Sequence, residues 1–253
     1  MVTVAGEPVG LDPRAVISLL QHGTIEITGR LVDASNATLY GTVTADGLSV
    51  PCVYKPVAGE RPLWDFPRGT LAHREVASYL VSVGTGWDIV PPTVLRDGPF
   101  GLGMVQRWIE VDEDTDLLAL ARSRHPQLRR MAIFDAVVNN ADRKGGHLLP
   151  TADGHIHGCD HGVCFAVQDK LRTLLWQWRG QRLPAEATVV LSDLRSQLAP
   201  APGGPPGALA GALRQLLSAE EIRATLGRID RLLDSGRHPM PSADWPAIPW
   251  PPF

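Results

Sequence analysis

The stretch Asn140-Ala141-Asp142-Arg143-Lys144-Gly145-Gly146-His147, followed by His157-Gly158-Cys159-Asp160-His161-Gly162, sets two carboxylates in order at short spacing. Asp142 opens an Asp-Arg pair, His147 follows five residues later, and Asp160 begins an Asp-x-Gly thirteen residues after that. Moving a phosphoryl group from ATP to a hydroxyl needs such parts. One carboxylate orients the attacking hydroxyl, and a second holds Mg²⁺ against the β- and γ-phosphates. In that chemistry Asp142 takes the proton and Lys144 reaches the transferring phosphate. Asp160 holds the cation, which favours carboxylate and phosphate oxygens.

A second constellation overlaps the first. His147, His155, His157, Cys159, His161 and Cys164 crowd into eighteen residues. His155 and His157 alternate, so on a strand both face one side, and such a cluster could bind zinc. The Asp160-x-Gly reading accounts for the segment better. Cys159 and Cys164 are then expected as small hydrophobes beside the site.

These residues need elements to hold them. Asp12-Pro13 supplies an N-cap and first helical position for a helix to His22, with Gly23 as its stop. Three β-like runs follow, Thr24–Val32, Thr38–Val43 and Leu48–Lys55, separated by turn formers at Asp33–Ala37 and Thr44–Gly47. Thr70 can cap a helix with Leu71, Val76, Tyr79 and Leu80 on its core side, ended by Gly84. Extended runs at Ile89–Leu95 and Leu102–Ile109 complete a small antiparallel sheet with one helix packed on it. The acidic stretch Glu110–Asp116 marks a change to helical character. Pro126 opens a helix in which Leu128, Met131, Ala132, Asp135 and Val138 recur at helical spacing. A short hairpin pairs Leu148–Leu149 with Ile156–Gly158. Helices are predicted over Asp169–Trp178, Ala185–Gln197, Gly211–Leu217, and from the capping box Ser218-Ala-Glu-Glu221 to about Leu233. The tail Ser235–Phe253 is Pro-rich, carries Trp245 and Trp250, and reads as an extended segment along the surface or a protein partner.

Composition excludes several classes. The 24 basic and 27 acidic residues leave no field for nucleic acid. No run approaches the roughly 18 uncharged apolar residues of a membrane span, and the N-terminus lacks the pattern of a signal peptide. The three cysteines form no disulfide framework, which points to a reducing, cytoplasmic setting.

The two blocks around Asp142 and Asp160 resemble the phosphatidylinositol 3-/4-kinase-like branch of the kinase superfamily and, more loosely, the bacterial HipA-like kinases. The likeness runs from about Gly29 to Cys164 and is closest to a bacterial subfamily of unassigned substrate. It implies an α+β, bilobal protein-kinase-like fold: a small antiparallel-sheet lobe with one helix over residues 1–109, and a mostly helical lobe over 110–253. The family's Asp-Arg-x-x-x-Asn loop is matched by Asp142–His147, and its Asp-x-Gly metal motif by Asp160-His161-Gly162. His147 stands where the family has Asn. A ring nitrogen is a softer donor, which suits Mn²⁺ better than Mg²⁺; the ring either ligates the metal or bonds a metal-bound water or phosphate.

The resemblance further implies that Lys55, at the end of a β-like run, neutralises the α/β-phosphates and that Glu75 on the next helix pairs with it. Ser35, Asn36 and Thr38 fall where a phosphate-covering loop belongs, and adenine is expected near the Gln106–Trp108 backbone. ATP with Mg²⁺, or Mn²⁺, is the implied cofactor pair. The acceptor is a hydroxyl of a soluble small molecule or protein rather than a phosphoinositide, because Gly162–Gln168 is short and uncharged. Two rivals use the same site: transfer of AMP to a protein, and a catalytically silent nucleotide-binding scaffold.

Overall fold

The computed structural model describes residues 12–31, 36–199 and 207–253. These group into two units: the described residues up to Ala72 with Pro91–Ile109, and His73–Val90 with Glu110–Phe253.

The first unit is a five-stranded antiparallel sheet with one helix. Its strands are β1 (Thr24–Arg30), β2 (Leu39–Ala45), β3 (Leu48–Pro56), β4 (Thr93–Gly98) and β5 (Gly101–Arg107), in the order β1-β2-β3-β5-β4. Asp46 and Gly47 both have positive φ, the geometry of a two-residue hairpin turn that matches strand twist. A Cβ on Gly103 would sit 2.5 Å from the Tyr54 ring, so only glycine lets that ring cover β5. The helix packed here is α1 (Pro13–His22), capped by Asp12, whose carboxylate accepts the Arg14 N–H. Its Val16, Leu19 and Leu20 share a core with Val43, Val50, Cys52, Tyr54, Val94 and Val105. Arg96 donates to the carbonyls of Leu20 and Gly23 and so satisfies the last turn of α1.

The helix expected from Thr70 forms as α2 (Leu71–Thr85), but from His73 onward it belongs to the second unit. The cause is polar. Arg74, Glu75, Ser78 and Ser82 are all buried, and buried polar groups need partners. Arg74 finds Glu221 and the Cys164 carbonyl, while Ser82 accepts the N–H groups of Ile89 and Val90.

The rest of the second unit is α3 (Leu117–Arg122), α4 (Pro126–Val138), the hairpin β6 (Leu148–Pro150) and β7 (Ile156–Gly158), α5 (Ala185–Leu198), α6 (Ala208–Leu213) and α7 (Ala219–Ser235). Helix α4 is buried nearly all round, through Leu128, Met131, Ile133, Phe134, Val137 and Val138, and is the axis of the core. The Ser218–Glu221 capping box is present, and its Glu221 also receives Arg74 at 2.5 Å.

Three expectations fail. Residues 169–178 are not a helix; only Trp176–Trp178 makes a single tight turn. Their N–H groups go elsewhere: Lys170 to the Asn139 side chain, Arg172 to the Asn140 carbonyl, Leu174 to the Arg143 carbonyl, and Thr173 to the Ala247 carbonyl. The helix expected over Gly211–Leu217 forms earlier, at Ala208–Leu213, and ends in turns, while α3 follows the acidic stretch with Asp116 as its cap, accepting from Leu118 and Ala119. The extended run from Ile89 begins as a strand only at Thr93, past Pro91-Pro92. Among the described residues, no helix is long and apolar enough to cross a membrane.

Candidate active site

The site of the second unit is built outward from Asp135, a fully buried carboxylate on α4. Arg143 donates to it through Nε and Nη2, the latter at 2.9 Å, and neither side chain has any exposure. Burial alone would depress the Arg143 guanidinium, but the charge and hydrogen bonds of Asp135 outweigh it and hold the group above its ordinary value. Asn140 donates its amide to Asp135 at 3.0 Å and accepts the Asp142 N–H at 2.9 Å. Helix α4 ends at Asn139, whose left-handed φ of 55° turns the chain into this loop. Arg143 also reaches the Cys159 carbonyl at 3.0 Å and His161 Nε2 at 2.6 Å, so one guanidinium ties the Asp142 loop to the Asp160 segment.

On this frame the expected residues meet. Lys144 Nζ lies 3.2 Å from Asp142 Oδ2. Partial burial raises the Asp142 carboxyl above the usual Asp value; Lys144 pulls it back down, and the charge of Asp160 pushes it further up. His147 Nδ1 faces the Lys144 N–H at 3.4 Å, and its Nε2 lies 3.4 Å from Asp160 Oδ2. With Nδ1 turned to the Lys144 N–H, Nε2 is the ring atom that faces the Asp160 carboxylate. Asp160 itself sits at φ 58°, an uncommon backbone for a residue with a side chain. The hairpin fixes this meeting, because β6 leaves from His147 and β7 leads into Asp160. Glu75 on α2 accepts the main-chain N–H of His161 at 2.8 Å, at the centre of the Asp-x-Gly.

The other predicted residues lie in the first unit. Lys55 is half-buried on β3, opposite Met104. Asn36 Oδ1 accepts the Arg61 N–H at 2.8 Å, and the Thr38 hydroxyl donates to the Asn36 carbonyl at 3.4 Å. Ser35 lies outside the described residues. Gln106 is buried on β5 and donates to the Thr93 hydroxyl, while the Trp108 N–H goes to the Pro51 carbonyl and its ring meets Tyr40 edge-on. In the aromatic loop after Lys55, Phe66 is buried and Trp64 exposed.

Sequence reasoning missed Asp135, Asn140 and His161 as parts of this frame. A signal existed for Asp135: a carboxylate on the core-facing stripe of α4 demands a buried cationic partner. It also missed where the tail goes. The Pro252 carbonyl accepts the Gly145 N–H at 2.8 Å, and the Ala247 carbonyl accepts from Thr173 and from Trp176 Nε1. A cavity of about 930 Å³ bordered by Asp169, Arg228, Arg231, His238 and Trp245 also lies in this unit, but Asp142 does not line it.

No family model matches the sequence. Protein Rv2133c of Mycobacterium tuberculosis (strain ATCC 25618 / H37Rv) is 43% identical over 271 aligned positions, covering 93% of this chain and 95% of that protein. Among solved structures, the Golgi casein kinase with Mn/ADP bound superposes with a TM-score of 0.57 at 14% identity, over 88% of this chain and 75% of that one. The Helicobacter pylori proinflammatory kinase CtkA gives 0.50 at 11% identity, over 86% of this chain and 95% of that one. At such identities the likeness is one of fold, and the fold is kinase-like.

Proposed function

We propose that this chain, which belongs to the family of the mycobacterial Protein Rv2133c, is an ATP-dependent phosphotransferase that moves the γ-phosphate to a hydroxyl of a soluble small molecule or protein. The observation that carries the reading is the placement of Asp142. It stands on a loop pinned by the buried Asp135–Arg143 pair, beside Lys144, and within the electrostatic reach of Asp160. A carboxylate whose affinity for protons is raised is better matched to accepting one from a hydroxyl near neutral pH. Lys144 would hold Asp142 in place and offer its charge to the transferring phosphate.

Asp160 and His147 are the residues to hold a divalent cation, whose role is to neutralise charge on the β- and γ-phosphates. Their donor set fits one: a half-exposed carboxylate next to an imidazole is a pair that suits Mn²⁺ at least as well as Mg²⁺. The Golgi casein kinase of like fold is described with Mn and ADP. Lys55, Ser35, Asn36 and Thr38 are proposed for the phosphates, with Glu75 as the proposed partner that directs Lys55. Adenine is proposed to meet the backbone near Gln106 and Trp108, at a group other than the Trp108 N–H, which is already used. The likeness to the phosphatidylinositol 3-/4-kinase-like branch rests on the two motif blocks. The lack of any cysteine pairing is compatible with a cytoplasmic setting. Trp250, exposed on the tail, is the place proposed for a protein partner.

The test is thermal unfolding with ATP, with and without Mn²⁺ or Mg²⁺. A ligand that binds only the native state raises the midpoint. The expected result is a metal-dependent rise that disappears in Asp160→Ala; a rise indifferent to metal, or none at millimolar ATP, would overturn the assignment.

A further inference from the structure

We propose a second metal site, formed by Asp88, His155 and His157, that takes Zn²⁺ and is independent of the nucleotide site. One side-chain ligand atom from each residue lies within 4.8 Å of the other two. The three come from two stretches, Asp88 from the turn after α2 and His155 and His157 from the place where β7 begins, which main-chain bonds hold together. The Ile89 carbonyl accepts the Gly158 N–H at 2.7 Å, fixing the residue next to Asp88 against the end of β7. His155 Nε2 lies 2.8 Å from the Asp88 main-chain oxygen, and Asp153 accepts the His155 N–H at 3.1 Å. The His155 and His157 rings are 4.3 Å apart between centroids. The arrangement is therefore in place before any ion arrives.

The donor chemistry selects the ion. Two imidazoles and one carboxylate suit zinc and its borderline neighbours, whereas Mg²⁺ prefers oxygen alone. Three protein ligands are the complement of an open zinc site, with water completing the tetrahedron. Zinc–ligand bonds of about 2.0–2.1 Å put tetrahedral ligand atoms roughly 3.3 Å apart, so the side chains need to close by at most about 1.5 Å. With Nε2–H given to the Asp88 carbonyl, His155 presents Nδ1, and that outer hydrogen bond orients the ring as metal-binding histidines usually require.

The consequence is mechanical. The β6–β7 hairpin delivers His147 at one end and Asp160 at the other. Zinc at this site would fasten that hairpin to the turn at Trp87–Val90 and so fix both residues. The inference does not depend on the phosphotransferase reading, since it concerns binding without nucleotide.

The experiment is titration of the chelator-treated full chain with Co²⁺ in the absence of nucleotide, followed by displacement with Zn²⁺. The expected result is one equivalent of Co²⁺ with the visible bands of tetrahedral coordination, bleached by Zn²⁺, and a zinc-dependent rise in the unfolding midpoint. His157→Gln and Asp88→Asn should each lose the bands, while Asp160→Ala keeps them. Asp88 is exposed, so its amide variant keeps the fold, which an unchanged metal-free midpoint would verify. No stoichiometric binding, bands that survive both substitutions, or bands lost in Asp160→Ala would each overturn the proposal.

Discussion

Asp142 is under two opposed influences: partial burial raises its proton affinity, and Lys144 at 3.2 Å lowers it. Burial wins, and two predictions follow from the sign. A folded-state value raised above the unfolded one means that ionised Asp142 opposes folding at neutral pH. Asp142→Asn is therefore expected to raise the unfolding midpoint at pH 7 while abolishing turnover; a lower midpoint would show that the Lys144 pairing dominates. Because the proposed proton acceptor must be ionised, the acid limb of the activity profile should lie above the ordinary Asp range, read from rate against pH. Arg143 gives the opposite case. Its partner Asp135 is wholly buried, so Arg143→Met strands a carboxylate and should cost about 3–5 kcal/mol in chemical denaturation. At this scale the grouping of Asp142, Lys144, His147 and Asp160 was legible, because their spacing along the chain is itself the signal, while the roles assigned to them stay proposals. The meaning of Asp135 was not, because its partner is set by the fold.

Between residues and the whole lie the elements, and here the sequence read best where structure is local. Helix α1 with Asp12 and Pro13, the Asp46-Gly47 turn and the Ser218–Glu221 box all formed as their end signals required. Residues 169–178 did not, because distant groups took the hydrogen bonds a helix would have used. Helical spacing cannot report on competitors from the Asn139–Arg143 loop and the tail. The tail is thus part of the unit it covers. Removing residues 247–253 should lower the unfolding midpoint and the turnover together, since Gly145, Thr173 and Trp176 each lose a partner. An unchanged midpoint would return the tail to the role of a loose appendage.

For the molecule as a whole, the two motif blocks and the strand pattern were enough to read a small antiparallel sheet followed by a helical part. The allegiance of α2 was not legible, because it rests on Arg74 and Glu75 finding partners beyond residue 160. Global stability carries a further pH signature. Burial, with the nearby Arg129 charge, pulls His238 down from 6.5 to about 4. The unfolded chain therefore takes up a proton that the folded chain refuses. Stability present above pH 6.5 should be lost as pH falls towards 4, by at most about 3 kcal/mol. His238→Phe, which keeps a ring against Trp178, should flatten that slope in denaturation measured across the window; an unchanged slope would assign it to other groups. The central claim is about the fate of ATP, and phosphorus NMR of ATP incubated with the protein and Mg²⁺ follows that fate directly. The account predicts ADP, the γ-phosphate passing to water or to a hydroxyl of the protein itself, and none in Asp142→Asn; pyrophosphate release, no ADP at all, or ADP formed equally by the variant would contradict it.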